Sequence, residues 1–312
     1  MPPRLGAFLA IVLWGISFVA TKVALRELSP VSLIFVRFAL GAGLLAGLMA
    51  ARRQPLIPPR ESWRVLALMG FVGVFVHQLL QAYGLTLTTA VQTGWLIGLI
   101  PIWTAVLSAL FLGERFGFRK TAGLAVGAAG AALVVTRGEF GGGLFALPAT
   151  RGDLLVLAST MTWAIYTIFG HAAIRRLGSL RATAGTMIAG LAMLTPVFVA
   201  VRGWRDIERL SPAGWGAVLF LGIGCSGLGY LFWYGALQRV EASRVAAFLY
   251  IEPLVTLGAA MALLGETVRP TTIVGGLAVL AGVLLVQTAK EAPRPSGDAP
   301  GEDTTHPRVR TR

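Results

Sequence analysis

The sequence predicts an all-α membrane protein of ten transmembrane helices, arranged as two inverted five-helix repeats. Three observations carry that expectation. Of 312 residues, 55% are hydrophobic and only 13% charged, with a mean hydropathy of +0.74. A water-soluble domain, in which about 25% of residues are charged, cannot hide that much apolar surface. The apolar residues gather into runs of bilayer length, and the second half repeats motifs of the first.

The runs are Leu5–Leu25, Val31–Ala50, Val65–Leu85, Val91–Leu112, Thr121–Thr136, Leu154–Ile174, Ala182–Val201, Ala213–Leu237, Val245–Leu264 and Thr271–Thr288. Most approach the ~20 residues a helix needs to cross the hydrocarbon core. The first run exceeds the usual ~7–15-residue core of a signal peptide and nine more follow it, so it reads as a permanent span.

Cytoplasmic loops keep an excess of Lys and Arg. With the N-terminus inside, alternate loops hold thirteen such residues (Arg4, Arg52 and Arg53 among them) against eight outside (Lys22, Arg26, Arg137, Arg151, Arg202, Arg205, Arg209, Arg269). This predicts a multi-pass protein of the cell (inner) membrane with both termini cytoplasmic. Residues 289–312, rich in Pro, Gly, Asp and Thr, read as a disordered cytoplasmic tail. The net charge of +13 and pI near 11.2 would suit a nucleic-acid binder, but the charges lie in short breaks between apolar runs, so no nucleic-acid partner is expected.

The duplication aligns Gly84–Glu114 with Gly235–Glu266. Leu112-Gly113-Glu114 recurs as Leu264-Gly265-Glu266, Pro101 as Pro253, and Gly123-Leu124-Ala125-Val126 as Gly276-Leu277-Ala278-Val279; Trp14 and Trp163 hold comparable places in the first helix of each half. The repeats are expected over 5–137 and 151–288. Five spans per half is an odd number, so the second half crosses in the opposite sense, the arrangement in which paired repeats enclose a site near the membrane midplane.

An ionisable residue inside a span is a functional candidate by default. Arg37 lies about 9 Å from the outer end of its run and Glu252 about 10.5 Å from the inner end of its own, separated by roughly 10 Å along the normal of a ~30 Å core. Glu252 reads as a site for an amine or a proton, or else as a structural ion pair with Arg37 or Arg244. Arg37 reads as a packing or orienting residue, or one snorkelling outward. Polar and aromatic side chains at helical spacing suggest a cavity lining: Ser226, Tyr230, Trp233 and Tyr234 in span eight; Trp163, Tyr166, Thr167 and His171 in span six; His77, Gln78 and Gln81 in span three. The candidate substrate-binding set is Trp14, Ser17, Arg37, His77, Gln81, Gln92, Trp95, Trp163, Tyr166, Tyr230, Tyr250 and Glu252.

Gly222-Ile223-Gly224-Cys225-Ser226-Gly227 has the spacing of a dinucleotide fingerprint, but it interrupts a membrane span instead of joining a strand to a helix. Close helix packing or a flexible break is the better reading there, as for Gly94/Gly98 and Gly123/Gly127. Cys225, the only cysteine, reads as a small core residue. His77, His171 and His306 are scattered without metal-ligand spacing, so no metal and no cofactor are expected.

Trp14-Gly15, Arg37, Pro101, Gly113-Glu114, Glu252-Pro253 and Gly265-Glu266, in that order on ten spans, resemble the drug/metabolite transporter superfamily and, within it, the EamA-type exporters. The likeness covers roughly Leu5 to Thr288. It implies a basket of ten helices, the first four of each half lining a central cavity and the fifth peripheral. It further implies outward movement of amino acids, their derivatives, other small metabolites or toxic amphipathic compounds. The expected partners are a small-molecule substrate, the lipid bilayer and protons as a candidate coupling ion, with monomer and homodimer both open. Two alternatives stand beside this. A sugar-phosphate or nucleotide-sugar exchanger would call for several cavity Lys or Arg. An intramembrane transferase would need paired Asp residues, a metal cluster or a nucleophile with its base, and the spans offer none.

Overall fold

A computed structural model describes residues 2–112, 117–138, 148–237 and 247–288. The expected tail, Gly113-Glu114, Arg239 and Arg244 lie outside the described residues, as do the side chains of His171 and Tyr250. Every described element is helical. Eight helices are long and apolar enough to cross a membrane, and Glu252–Leu264 and Pro270–Val286 are shorter apolar helices.

The chain opens with α1 (Pro3–Ala24) and α2 (Pro30–Ala51). Ser29 caps α2, its Oγ accepting the Ser32 N–H at 3.3 Å, and Pro30 occupies the first turn, where the missing N–H costs nothing. The third span comprises α3 (Trp63–Gly70), a π-helical stretch (Phe71–Val76) and α4 (His77–Leu87). The run expected as one helix over Val91–Leu112 is broken: α5 (Ala90–Ile97) and α6 (Ile100–Leu112) are separated at Gly98–Leu99, because Pro101 has no N–H to continue the ladder. Then come α7 (Phe118–Thr136), α8 (Pro148–Leu177), α9 (Ser179–Ala200) and a single turn, α10 (Trp204–Ile207). The eighth span is α11 (Pro212–Leu219), a π-helical stretch (Phe220–Gly229) and α12 (Tyr230–Leu237). A 3₁₀ turn (Ala247–Ile251) leads into α13 (Glu252–Leu264), and α14 (Pro270–Thr288) ends the described chain.

The duplication extends to irregularities and contacts. The offset that aligns Gly84 with Gly235 carries Phe71–Val76 onto 222–227, inside the second π-helical stretch. The offset that aligns Trp14 with Trp163 carries Gly41 onto Gly190 and Arg37 onto Thr186. A Cβ on Gly41 would lie 3.2 Å from the Gly222 carbonyl, and one on Gly190 would lie 3.0 Å from the Gly70 carbonyl. Reciprocally, a Cβ on Gly222 would sit 3.0 Å from the Arg37 carbonyl, and one on Gly70 would sit 2.9 Å from that of Thr186. The second helix of each half therefore meets the third helix of the other backbone to backbone on glycines, the close approach that small residues allow in lipid.

The last helices of the halves pack on each other. α7 and α14 cross on Gly123, Gly127 and Gly130 facing Gly275 and Gly282, where an added Cβ at Gly130 would fall 2.6 Å from the Gly275 carbonyl. Trp95 of α5 covers the backbone of Gly276, in a core with Val134, Val279 and Val283.

Candidate functional site

At the centre of the bundle lies a cavity of ≈60 Å³ lined by Trp14, Ser17, Phe18, Arg37, His77, Gln78, Gln81, Ile97, Ile100, Trp163, Tyr230, Leu249 and Glu252. It draws side chains from α1, α2, α4, α5, α6, α8, α12 and α13 and from the 3₁₀ turn, hence from both halves. By order of magnitude this is room for roughly four to six waters, comparable to a small metabolite.

Its aromatic wall is built on a pair that the duplication relates. Trp14 and Trp163 meet edge to face with centroids 6.2 Å apart at 79°, and Tyr230 packs on both, at 5.5 Å and 6.0 Å. The Trp14 indole N–H donates to the Cys225 carbonyl at 3.1 Å, a carbonyl inside the π-helical stretch, where the ladder is loosened. That bond fixes the indole's orientation. His77 lies 5.0 Å from the Trp163 ring, and its Nδ1 donates to the Ser159 carbonyl at 2.8 Å, which leaves Nε2 as an acceptor.

Arg37 and Glu252, the two ionisable residues expected inside spans, are both at the cavity and 5% exposed. Arg37 Nε donates to Ser226 Oγ at 2.9 Å and Nη1 to Gln78 Oε1 at 3.4 Å; its guanidinium also stands 5.6 Å over the Phe38 ring. A guanidinium carries five N–H donors, so protein oxygens take only part of its capacity. Among the described residues neither Arg37 nor Glu252 forms an ion pair. Glu252 opens α13, and its main-chain carbonyl, not its carboxylate, accepts Thr256 Oγ1 at 3.0 Å. The same hydroxyl reaches the Gly15 carbonyl at 2.9 Å, clamping α13 to α1 where a Cβ on Gly15 would meet Val255 at 2.8 Å.

Eight of the twelve expected site residues thus converge: Trp14, Ser17, Arg37, His77, Gln81, Trp163, Tyr230 and Glu252. Tyr166 stands one layer behind, 5.3 Å from Trp163, its hydroxyl accepting that of Tyr234 at 3.5 Å. Trp95 is in the α5–α14 core. Gln92 is at one end of the bundle, where its Oε1 accepts from Thr88 Oγ1 at 2.9 Å and Arg137 Nη2 at 2.7 Å. Gln78 and the apolar Phe18, Ile97, Ile100 and Leu249 were not in the expected set. The duplication carried the signal for Ile100: it precedes Pro101 as Glu252 precedes Pro253.

Gln92 belongs to a band of polar ties between the halves at that end. Asp153, fully buried, accepts a short hydrogen bond from Thr88 Oγ1 and faces Arg137 Nη2 at 3.8 Å. The Glu266 carboxylate accepts the Ala90 and Val91 N–H groups at 2.9 and 3.0 Å, capping α5 from the other half. Nearby, Asp206 accepts the Ser29 N–H at 3.1 Å and Ser32 Oγ at 2.7 Å, while Glu27 accepts the Ser211 N–H and Oγ, each at 2.7 Å. Glu27 is held below the usual carboxylate range by those two Ser211 bonds. Partial desolvation pushes Asp206 up, but the Ser32 and Ser29 bonds and the Arg209 charge outweigh it, so it too lies low.

A bundle of membrane-length helices around a buried cavity lined by polar, aromatic and charged groups is the architecture of a multi-pass membrane transporter. The chain belongs to the EamA-like transporter family, whose model matches residues 2–136 and 150–288. It is similar to an uncharacterized transporter of Archaeoglobus fulgidus, 32% identical over 91% of this chain and 96% of that protein. It also resembles a probable terminal-alkyne amino-acid exporter of Streptantibioticus cattleyicolor, 29% identical over 94% and 96%. A crystal structure superposes with a TM-score of 0.64 at 22% identity, covering 91% of this chain and 95% of that one, which shows the shared fold.

Proposed function

We propose that this protein is a secondary exporter of small metabolites, amino acids or their derivatives foremost, or of amphipathic toxic compounds, and that it works by alternating access. The observation that carries this reading is the cavity lined from both halves, next to an end of the bundle where loops of both halves are tied together. Rocking one half against the other would break the Glu266, Asp206 and Glu27 ties and expose the chamber to that side. The amino-acid exporter among the relatives supports this substrate class.

Under this reading the chain crosses the cell membrane ten times, as two oppositely oriented repeats over 5–137 and 151–288, with both termini cytoplasmic. The loop contacts support such threading. The loop after α1 bonds the loop after α9 through Ser29 and Asp206, and the α8–α9 junction bonds the α2–α3 loop through Arg176 and Glu61 at 2.7 Å. Ten alternating crossings put each of these pairs on one side of the membrane, the first outside and the second inside. Glu252 is the group that exchanges an amine or a proton. Arg37 is the only cation among the described residues lining the cavity, fewer than a sugar phosphate would draw.

The test is efflux and resistance across a compound panel in cells expressing the protein, beside the Glu252→Gln variant. Compound-specific efflux that rises with expression and becomes independent of pH in the variant is expected. No efflux of any compound, or full pH-dependent efflux in Glu252→Gln, overturns the respective claim.

A further inference from the structure

The duplication supplies an internal control for the two buried charges. Arg37 and Thr186 occupy equivalent positions: each carbonyl is met by a glycine in the third helix of the other half, Gly222 for Arg37 and Gly70 for Thr186. Glu252 and Ile100 are equivalent in the same way. Each precedes the proline of its half, each lines the cavity, and each carbonyl accepts a threonine hydroxyl four residues on, Thr256 Oγ1 and Thr104 Oγ1, both at 3.0 Å. The fold therefore builds the same backbone contacts with Thr or Ile where the other half places Arg or Glu. Packing does not require either charge, although burying each carries a large desolvation cost. A cost that the sister position avoids is retained for another purpose, and the charges differ in sign and belong to different halves.

Resting on the reading of this cavity as the substrate chamber, we propose that Arg37 and Glu252 determine specificity for a small zwitterion bound in one orientation, Arg37 taking its anionic end and Glu252 its cationic end. The chemistry at each pole fits. Ser226 and Gln78 hold the guanidinium but leave donors for a carboxylate, which a guanidinium accepts in a two-pronged fork. Glu252 has no cationic partner among the described residues, and an ammonium would neutralise it without a proton. The Trp14, Trp163 and Tyr230 rings line the same cavity, and their faces attract a cation and pack an apolar side chain. A dipolar ligand converts two separate buried charges into two neutral contacts. A singly charged ligand relieves only one and leaves the other buried and unpaired, the arrangement that discriminates most strongly.

The experiment uses the full chain in proteoliposomes, with radiolabelled phenylalanine, its methyl ester (cation only) and N-acetylphenylalanine (anion only), preceded by a screen of the twenty amino acids should phenylalanine be too large. The variants are Arg37→Thr and Glu252→Ile, each installing the residue of the sister position. Both are expected to remain folded, with elution and melting temperature near wild type, because the fold already tolerates those residues there. Wild type should carry the amino acid at least tenfold faster than either derivative. Arg37→Thr should lose that advantage over the ester while keeping it over the N-acetyl compound, and Glu252→Ile should do the reverse. Transport by wild type that ignores the charge of the ligand, or two variants that lose the zwitterion with no matching relaxation, overturns the proposal while leaving the transporter reading intact. Absence of transport of any amino acid overturns the proposal, and only the further absence of efflux across the wider panel overturns the reading beneath it. If either variant fails to fold, the internal-control argument is wrong; Arg37→Gln and Glu252→Gln then decide the charge preference by the same comparison.

Discussion

Trp14 and Trp163 meet edge to face at 79°, each the duplicate of the other, so the cavity is built around a contact between equivalent residues of the two halves. Trp163 also touches Tyr166, Tyr230 and His77. Replacing it with alanine should cost about 3 kcal/mol, read as a fall in melting temperature in detergent, and should admit bulkier substrates. Trp14→Phe keeps a ring but loses the bond to the Cys225 carbonyl. It should cost about 1 kcal/mol and lower transport by freeing the π-helical stretch.

The glycine crossings make a sharper claim. In α14, a Cβ on Gly282 would lie 2.6 Å from the Gly123 carbonyl, whereas one on Gly47 of α2 would meet nothing within 4 Å. Gly282→Ala should force α7 and α14 apart and destabilise by about 1–3 kcal/mol. Gly47→Ala should be neutral or slightly stabilising, because it removes backbone freedom from the unfolded chain. Thermal melts of the two variants side by side check this, and equal effects would show that the α7–α14 contact is not tight.

Much of this was legible in the sequence, and the reasons it was not fully so are local. Hydropathy located the helices because lipid tolerates few charges, and the Trp14/Trp163 and Pro101/Pro253 echoes exposed the duplication. Periodicity misplaced residues where the helix stops being a helix of 3.6 residues per turn. The break at Gly98–Leu99 sends Trp95 into the α14 contact while Ile97 and Ile100 line the cavity. Asp153 stands one residue before the expected run Leu154–Ile174, yet it is fully buried against Thr88; no pattern along one chain segment announces a partner 65 residues away. Gln92 looked like a cavity residue because it is polar in an apolar run, but its amide closes the end of the bundle.

The ties made by Glu27 and Asp206 carry a pH signature. Both carboxylates are depressed relative to ordinary values of 4.5 and 3.8, so both bind protons more weakly folded than unfolded. Their contribution is therefore fully present above the ordinary carboxylate range and is lost as pH falls through the lowered folded values. Protection of the Ser29 and Ser211 amides against hydrogen exchange, taken relative to the intrinsic rate at each pH, should persist through neutral and mildly acidic pH and fall only below the ordinary carboxylate range. In Asp206→Asn the Ser29 response should be flat. Protection already lost near pH 6 would contradict the assignment.

The threading can be read chemically, since Cys225 is the only cysteine and is buried. In a Cys225→Ala background, cysteines replacing the exposed Arg26 and Arg209 should react with a membrane-impermeant maleimide added outside intact cells. Cysteines replacing Arg53 and Arg176 should react only after permeabilisation. Labelling of Arg26→Cys and Arg209→Cys from opposite sides would defeat the oppositely oriented repeats.

Glu266 allows the closed end to be tested apart from substrate chemistry. Its carboxylate caps α5 through two backbone N–H groups from the other half, and Lys22 lies within electrostatic reach of it. Such bonds exist only while the halves are together at this end, so Glu266→Gln weakens the closed arrangement and leaves the open one unchanged. With a charge-assisted bond replaced by a neutral one, closure should lose about 2 kcal/mol, roughly a thirtyfold shift toward the open form. A cysteine at cavity-lining Ile97, again without Cys225, should then label faster from outside when Glu266 is Gln. Labelling should slow when an added zwitterion occupies the chamber. Unchanged labelling would mean that this cap stabilises α5 locally and that closure rests on Asp153 and its neighbours instead.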